Sequence, residues 1–318
     1  TLDFYSGNID VNLQCETIGA INPLLYTPFP GFVGTDQFVV NFCLKTGTKQ
    51  CAPILIRIET YGDQNCRPAS DFVWPGDANN DGLVDIIVVD MKSGDHVRYK
   101  ELANPMQYDK YNLMVQYGYG RQPGRNMLQL NCGNNTFIDI GQYAGVSATD
   151  WSWTPLMADF NNDGWKDIYI TNGYRRDVTD LDYTNFFRDS IRKTGGITQE
   201  RFPDIYDVLK HVPEKPISNY LYINSQDLSF IDAGEQAGVA IPSYSNGAAY
   251  ADLDRDGDLD LVVHNIDDPV FVYRNDITNQ NWLQIVPKPS QGNPIVTGTA
   301  VELYAGDNHQ YQALMCSK

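Results

Sequence analysis

The sequence predicts an all-β protein, and three observations support this fold class. The 318 residues include 26 Gly and 20 Tyr, and Asn and Asp are also abundant, a composition that favours turns and strands over helices. Apolar and polar side chains alternate in residues 37–42 and 53–58, as they do in half-buried strands. From residue 71 onward, a segment with the same strand and turn signals recurs along the chain.

Residues 1–66 form the first predicted unit. They are rich in β-branched and aromatic side chains, and the two alternating stretches predict two late strands of a small sandwich. Residues 26–43, which read YTPFPGFVGTDQFVVNFC, are similar to the cadherin-like and Ig-like repeats of bacterial surface proteins. We therefore expect an Ig-like β-sandwich module, complete or partial, followed by a linker near residues 60–70.

Six cysteines are present, namely Cys15, Cys43, Cys51, Cys66, Cys132 and Cys316. Cys43 and Cys51 flank a predicted hairpin turn at residues 45–48, and opposed strands bring such a pair within disulfide reach. The alternative is two unpaired thiols, and the pairing of the other four cysteines stays open. A disulfide here would indicate an oxidising, extracellular setting.

The recurring segments keep a fixed register. Asn126, Leu128, Asn131, Phe137 and Asp139 recur in the same spacing as Asn219, Leu221, Asn224, Phe230 and Asp232. Each copy predicts four short strands, as in residues 153–158, 168–171, 219–224 and 228–233, and four strands per repeat are typical of a β-propeller blade. We assign residues 71–290 to such blades.

An insertion at about residues 180–216 interrupts the middle copy. Apolar side chains recur there at three- and four-residue spacing, which predicts two short amphipathic helices. The first set is Tyr183, Phe186, Phe187 and Ile191, and the second is Ile205, Val208, Leu209 and Val212. Asp177, Asp180 and Asp182 are expected to cap or solvate this insertion, with a further ion site as the alternative.

Each copy contains one acidic loop of nine residues, and we call these loops 1, 2 and 3. They read DANNDGLVD, DFNNDGWKD and DLDRDGDLD, with side-chain oxygens at positions 1, 3, 5 and 9 and a turn-forming Gly at position 6. Position 7 would supply a backbone carbonyl. The pattern predicts about three Ca²⁺ sites, with these ligands: Asp77, Asn79, Asp81, Leu83 and Asp85; Asp159, Asn161, Asp163, Trp165 and Asp167; Asp252, Asp254, Asp256, Asp258 and Asp260.

Two alternatives exist for these loops. An EF-hand begins in the same way but needs an acid at position 12 followed by a helix, whereas position 12 here is Val88, Ile170 or Val263 within a strand-like run. Asx turns without metal are the second alternative. Three loops in register with every ligand position filled favour the metal interpretation.

Several longer motifs resemble the bacterial FG-GAP/VCBS propeller proteins that end in an ASPIC/UnbV module. They are RNMLQLN at residues 125–131, AGVSATDWSW at 144–153, ITNGYRRDVTDLDY at 170–183 and SNGAAYADLDRDGDLDLVV at 245–263. Residues 291–318 are similar to the start of the terminal module. The resemblance implies calcium-stabilised extracellular propellers used for adhesion, surface assembly or glycan contact, with more blades than the three visible here.

Charge and motif content exclude several function classes. The net charge of −17 argues against a nucleic-acid partner, and no run of 18 apolar residues indicates membrane insertion. The first residues show no signal-peptide pattern, so we expect a soluble chain that starts as a mature product or a fragment. The four histidines are scattered, and neither H-E-x-x-H nor G-x-S-x-G occurs, so we expect no enzyme.

The sequence therefore predicts a calcium-binding extracellular surface protein with a structural, adhesive or assembly role, whose partner is a surface glycan, a protein or another copy of itself. One alternative is a polysaccharide-binding or polysaccharide-active propeller, because Trp151, Trp153, Trp165 and Tyr174 cluster around loop 2 and aromatic rings stack on sugars. Core packing is the other interpretation of these rings. A third possibility is a subunit of an extracellular filament.

Overall fold

The structure is a computed structural model that describes residues 7–10, 24–28, 34–43, 51–60, 73–102, 108–119, 121, 123–196, 198, 204, 206, 211–277, 282–287, 299–305 and 308–313. These residues form mostly β-strands. In chain order the elements are β1 Gly7–Asp10, β2 Leu24–Pro28, β3 Gly34–Cys43, β4 Cys51–Thr60, β5 Val73–Gly76, β6 Asp85–Val88, α1 His96–Glu101, α2 Tyr108–Gln116, β7 Met127–Asn131, β8 Phe137–Asp139, β9 Ser152–Ala158, β10 Asp167–Asn172, α3 Leu181–Lys193, β11 Tyr220–Asn224, β12 Phe230–Asp232, β13 Ser245–Ala251, β14 Asp260–Asn265, β15 Asp268–Tyr273, β16 Ile285–Pro287, β17 Ala300–Ala305 and β18 Asn308–Ala313.

The predicted repeats form three separate antiparallel sheets, which we call blades 1, 2 and 3. Blade 1 is β5-β6-β7-β8, blade 2 is β9-β10-β11-β12 and blade 3 is β13-β14-β15, each in meander order. The first strands of consecutive blades contact one another, β5 with β9 and β9 with β13. The strands predicted for the middle copy are confirmed, and the described residues contain three blades but no closed ring.

Each pair of neighbouring blades encloses one apolar core. Ile87 and Leu128 of blade 1 pack with Ile168 and Ile170 of blade 2. Tyr169 points the other way and packs with Leu261 of blade 3 in a second core. Because successive side chains of a strand point to opposite faces, β10 is buried on both sides and reads as a continuous apolar run.

The N-terminal and C-terminal strands lie in shared sheets. β3 and β4 form a four-stranded sheet with β17 and β18, and β16 pairs in parallel with β2, which also pairs with β1. The alternating stretches are strands as predicted, but residues 55–59 of β4 pair with β17. The boundaries at residues 66 and 291, the Ig-like sandwich and the ASPIC/UnbV module therefore stay predictions, while β3 and β4 share one sheet with β17 and β18.

The hairpin expected around Cys43 and Cys51 is present in the strand register. β3 and β4 are antiparallel, and Cys43 lies directly opposite Cys51. A disulfide between them falls outside what is described and stays a prediction, as does any pairing of Cys15, Cys66 or Cys316. The side chain of Cys132 is an exposed free thiol.

Helices occupy the connections between the second and third strands of blades 1 and 2. α3 confirms the first predicted helix, and its N-cap Asp180 accepts a hydrogen bond from the backbone N–H of Tyr183. The second predicted helix, at residues 205–212, lies largely outside the described residues. The sequence did not predict α1 and α2 of blade 1. No helix in the described part of the chain has the length and hydropathy needed to span a bilayer.

A buried arginine holds α1 against the start of the blade 2 insertion. The guanidinium of Arg98 donates to Asp150 (Nη2 to Oδ1, 2.9 Å) and to Asp177 (Nη1 to Oδ2, 2.8 Å). All three side chains are nearly inaccessible to solvent. Arg98 keeps the pKa of the Asp177 carboxyl below its usual value despite burial, which raises it. Asp177 therefore serves an ion pair between two insertions.

Candidate metal sites

The three acidic loops have the same backbone turn. Residues at positions 4 and 6 of each loop have positive φ: Asn80 (56°) and Gly82 (82°), Asn162 (55°) and Gly164 (93°), Arg255 (67°) and Gly257 (98°). Left-handed backbone is unstrained for Gly and tolerated by Asn, so the repeated Asn and Gly have a direct physical reason. The turn brings the side chains at positions 1, 3 and 5 to one side.

The aspartate at position 9 joins the start of its loop to the end of the third strand of the blade. In loop 2, Asp167 accepts from the N–H of Phe160 (3.0 Å) and from the N–H of Asn224 at the end of β11 (2.9 Å). Asp85 has the same contacts with Ala78 and Asn131, and Asp260 with Leu253 and Asn275. These three carboxylates are almost completely buried.

Loops 1 and 2 also satisfy their first aspartate internally. Asp159 accepts from the N–H groups of Asp163 (3.0 Å) and Gly164 (2.8 Å), and the amide of Asn161 donates to Asp163 (3.1 Å). Loop 1 repeats this arrangement: Asp77 accepts from Asp81 (3.2 Å) and Gly82 (2.9 Å), and Asn79 donates to Asp81 (3.0 Å). The predicted ligands at positions 1, 3 and 5 are thus brought together.

Loop 3 has the same ligand positions but different contacts. Its carboxylate oxygens from Asp252, Asp254 and Asp256 all lie within 4.8 Å of one another. Asp252 Oδ1 is buried and has no hydrogen-bond partner among the described residues. Asp258 is 2% exposed, and its Oδ1 is likewise unpartnered, while Oδ2 accepts from the N–H of Ile277 (2.8 Å). The sequence named Asp258 for its backbone carbonyl, so its carboxylate is an additional candidate ligand.

Burial makes these loops costly to ionise without a cation. Desolvation raises the pKa of Asp167 to about 7 and that of Asp85 to about 6, although backbone N–H groups partly oppose the shift. Desolvation likewise raises the pKa of Asp77 and Asp159, and that of Asp258 to about 6. A divalent cation among these oxygens would reverse the shift, because it stabilises the ionised carboxylates.

The donor set fits a hard cation. Loops 1 and 2 offer carboxylate, amide and carbonyl oxygens, and loop 3 offers carboxylate and carbonyl oxygens. No predicted ligand is a nitrogen or sulfur atom, and Ca²⁺ takes six to eight oxygens in flexible geometry. Loops 1 and 2 carry three carboxylates each, and loop 3 carries five. The oxygens left without partners in loop 3 are the direct structural observation that favours a bound cation.

The loops are linked to one another by asparagine side chains. The amide of Asn80 donates to the carbonyl of Gly164 (3.0 Å), and that of Asn162 to the carbonyl of Gly257 (3.1 Å). In the opposite direction, Asn224 donates to Ala78 O (2.8 Å) and Asn275 to Phe160 O (2.7 Å). The sequence signal for these contacts was the recurrence of Asn in each copy, but its role between blades was not predicted.

The C-terminal strand lies over loops 1 and 2. A side chain added at Gly82 would meet the ring of His309, and one added at Gly164 would meet Gln310. A polar cavity of about 180 Å³ lies between these elements. It is lined by Asn79, Asn80, Asp163, Gly164, Trp165, His309 and Gln310. No pattern in the sequence predicted this contact.

The aromatic cluster near loop 2 contributes to packing. Trp151 and Tyr174 stack on each other with ring centroids 4.6 Å apart, and the indole N–H of Trp153 donates to the carbonyl of Gly173 (2.6 Å). Trp165 lines the cavity instead. The four rings therefore do not form one continuous platform.

Fold and loops together define a repetitive β-sheet protein with an acidic turn between the first and second strand of each blade. An FG-GAP-like repeat is found at residues 114–170. This match begins before the third strand of blade 1 and ends in the second strand of blade 2, so it includes loop 2. No curated protein matches the chain.

Proposed function

We propose that this chain is a calcium-binding, extracellular surface protein with a structural or assembly role. Loop 3 carries the proposal. It places Asp252, Asp254 and Asp256 close together and adds the buried, unpartnered oxygen of Asp258. Such a group of carboxylates is repulsive by itself and becomes favourable around a divalent cation.

Calcium would act here as a structural ion. Each loop lies at the corner between two strands of a blade, and its position 9 aspartate also reaches the end of the third strand. A cation held by positions 1, 3 and 5 would therefore connect three strands at one edge. Because the asparagine side chains join the loops, order at one corner supports the next.

An extracellular location is consistent with this chemistry. Calcium-binding modules outside the cell have dissociation constants of about 10⁻⁴ to 10⁻³ M, which suit the higher calcium concentration there. The register that places Cys43 opposite Cys51 also favours a disulfide, which persists in oxidising compartments. Thiol counting under native and reducing conditions tests this point, and two free thiols at these positions in secreted material would contradict it.

Isothermal titration of the chelator-treated chain with Ca²⁺ tests the metal sites. We expect about three bound ions, and Asp252→Asn combined with Asp256→Asn should remove one of them. Asp227→Asn is the matched control, because Asp227 is an exposed acid on the turn between β11 and β12, outside all three loops. The absence of calcium binding, or an equal loss in the control, would overturn the proposal.

A further inference from the structure

Blades 1 and 3, at the two ends of the series, each leave one sheet face without a neighbouring blade. The equivalent faces of blade 2 are buried against its neighbours. We call the face that a blade turns toward the next blade its forward face and the other its backward face. The forward face of blade 2 includes Leu156, Tyr169 and Leu221, all buried against blade 3. On blade 3 the equivalent side chains alternate with the core residues of β14 and β15, and Val272 is 65% exposed.

This open forward face carries a row of apolar side chains beside the exposed His264. Val262 lies directly between Ala249 of β13 and Val272 of β15 in the strand register. Ala249 and Val272 are exposed, and Val270 on the same strand is 49% exposed. An exposed apolar sheet face of this kind marks an interaction site more often than an ordinary surface.

The hydrogen-bonding groups that join neighbouring blades also lack their interblade partners on the outer sides of blades 1 and 3, among the described residues. At each interface, the asparagine ending the third strand of the later blade donates to the carbonyl at loop position 2 of the earlier blade. Leu253 occupies that position in loop 3, and its carbonyl accepts from no described donor. On blade 1, the side-chain amide of Asn131 donates, among the described residues, only to its own loop, at Val84 O (3.2 Å). Asn224 and Asn275 donate both to their own loop and to the loop of the preceding blade.

The backward face of blade 1 offers the complementary apolar surface. Leu128 and Leu130 of β7 are buried against blade 2, so Met127 and Gln129 point to the opposite face. In the strand register, Gln129 lies beside Ile86 and Met127 beside Val88. All four side chains are only partly buried.

The charges at the rim of these two faces are also complementary. Position 4 of loops 1 and 2 is Asn and reaches the carbonyl of the Gly at position 6 of the next loop. In loop 3 this position is Arg255, which is exposed and makes no hydrogen bond or ion pair to a described residue. Placed against another copy of loop 1, its guanidinium would meet the carbonyl of Gly82 beside the carboxylate of Asp81.

We propose that the forward face of blade 3 binds the backward face of blade 1 on a second copy of this chain. The contact is head-to-tail, since it joins two different surfaces, and it either closes into a ring or extends into a filament. It continues the interface already present twice within the chain. The proposal deepens the assembly role stated above and rests on it.

Sedimentation velocity over a range of protein concentrations, in buffer with Ca²⁺ at physiological salt, measures the association. We expect reversible self-association that Val272→Asp weakens at least about tenfold, because it places an unpaired charge in the buried contact. Ile231→Asp on β12 is the matched control, since Ile231 is also 65% exposed but lies outside both faces. A chain that stays monomeric, or variants that weaken association equally, would overturn the proposal.

A mixing experiment distinguishes head-to-tail contact from a symmetric dimer. Val272→Asp disables the forward face, and the isosteric Gln129→Glu disables the backward face. Each variant alone should be monomeric, whereas an equimolar mixture should form heterodimers and stop there. No dimer in the mixture, with both variants melting like the wild type, would show that the two faces do not bind each other.

Calcium is measured separately by thermal melting with and without chelator. Melting unaffected by chelator, together with intact association, would remove the metal sites but keep the docking. Three measured calcium sites in a chain that never associates would keep the metal sites and remove the docking.

Discussion

Loops 2 and 3 share one backbone turn but differ in how they satisfy their carboxylates. In loop 2, Asp159 accepts two backbone N–H groups and Asn161 donates to Asp163, so the turn is held by its own hydrogen bonds. In loop 3, Asp254 replaces the neutral Asn at position 3 and Asp258 replaces the Trp at position 7. Asp252 and Asp258 keep buried oxygens without partners among the described residues. The difference teaches that the same ligand pattern gives one corner that is preorganised and another that depends on its ion.

Removal of calcium by a chelator should produce the largest difference between loops 2 and 3. Without calcium, the five carboxylates of loop 3 repel one another, so we expect the melting temperature to fall and amides at residues 252–260 to exchange fastest. Loop 2, at residues 159–167, should keep more of its protection. Hydrogen exchange by mass spectrometry measures both segments in one sample, and equal deprotection of the two loops would contradict the comparison.

The next largest effect, on the free energy of unfolding, should come from removing the aspartate at position 9. Asp167→Ala leaves the N–H groups of Phe160 and Asn224 without their acceptor in a buried site, which should cost about 2 to 5 kcal/mol. Asp260→Ala removes the equivalent contacts at the more open blade 3 and should cost less. Urea unfolding in calcium measures both, with Asp227→Ala, in an exposed turn, expected to change stability by less than about 0.5 kcal/mol.

The raised pKa values predict a pH dependence of opposite sign with and without calcium. The calcium-free folded chain holds protons on Asp167 up to about pH 7 and on Asp85 up to about pH 6, whereas the unfolded chain releases them near 3.8. Its stability should therefore fall as pH rises from about 4 to 7. Calcium binds the ionised carboxylates, so its stabilisation should grow over the same range.

Melting curves at about pH 5 and 7.5, with calcium or chelator, measure this dependence. Asp167→Asn should reduce the pH slope of the calcium-free protein, since it removes the group with the larger shift. If the difference in melting temperature between calcium and chelator narrows as pH rises, burial of these carboxylates does not control the stability of the loops.

The smallest effect is expected at position 4 of loop 3. Arg255 has a φ of 67°, a backbone conformation that Asn adopts more readily and that loops 1 and 2 assign to Asn. Arg255→Asn should therefore stabilise the monomer by up to about 1 kcal/mol. If Arg255 serves the contact between copies, Arg255→Gly, which keeps the turn but removes the side chain, should weaken self-association, whereas Arg255→Asn can make the contact that Asn80 and Asn162 make. Unchanged association of Arg255→Gly would assign Arg255 no part in docking.

The blades were predictable because their signals are local and repeated. The Asp and Gly positions fix each turn, and the alternation around Tyr169 fixes which side chains face each neighbour. The partners of β4 were not predictable, since nothing in its sequence specifies pairing with β17 at the other end of the chain. The sequence did not predict helices α1 and α2, because α1 spans only six residues and α2 buries no side chain that would give it a clear apolar face.

The candidate site was predicted at the level of ligands but not of contacts. All fifteen ligand positions follow from the loop pattern, whereas the asparagine links require knowing that blades stack side by side. The same holds for His309 and Gln310, which lie far from loops 1 and 2 in sequence. The buried role of the Asp258 side chain also emerged only from the fold, because its position 7 in the other loops is Leu or Trp.

The sheet that joins β4 to β17 has a consequence for the order of folding. Each blade meander closes over short or moderate loops, whereas β4 and β17 pair residues such as Glu59 and Ala300, which are separated by most of the chain. Such distant pairing carries a large closure entropy. We expect the blades to form early and the terminal sheet to form last. During refolding, the blades would thus be formed while β4 and β17 are still unpaired.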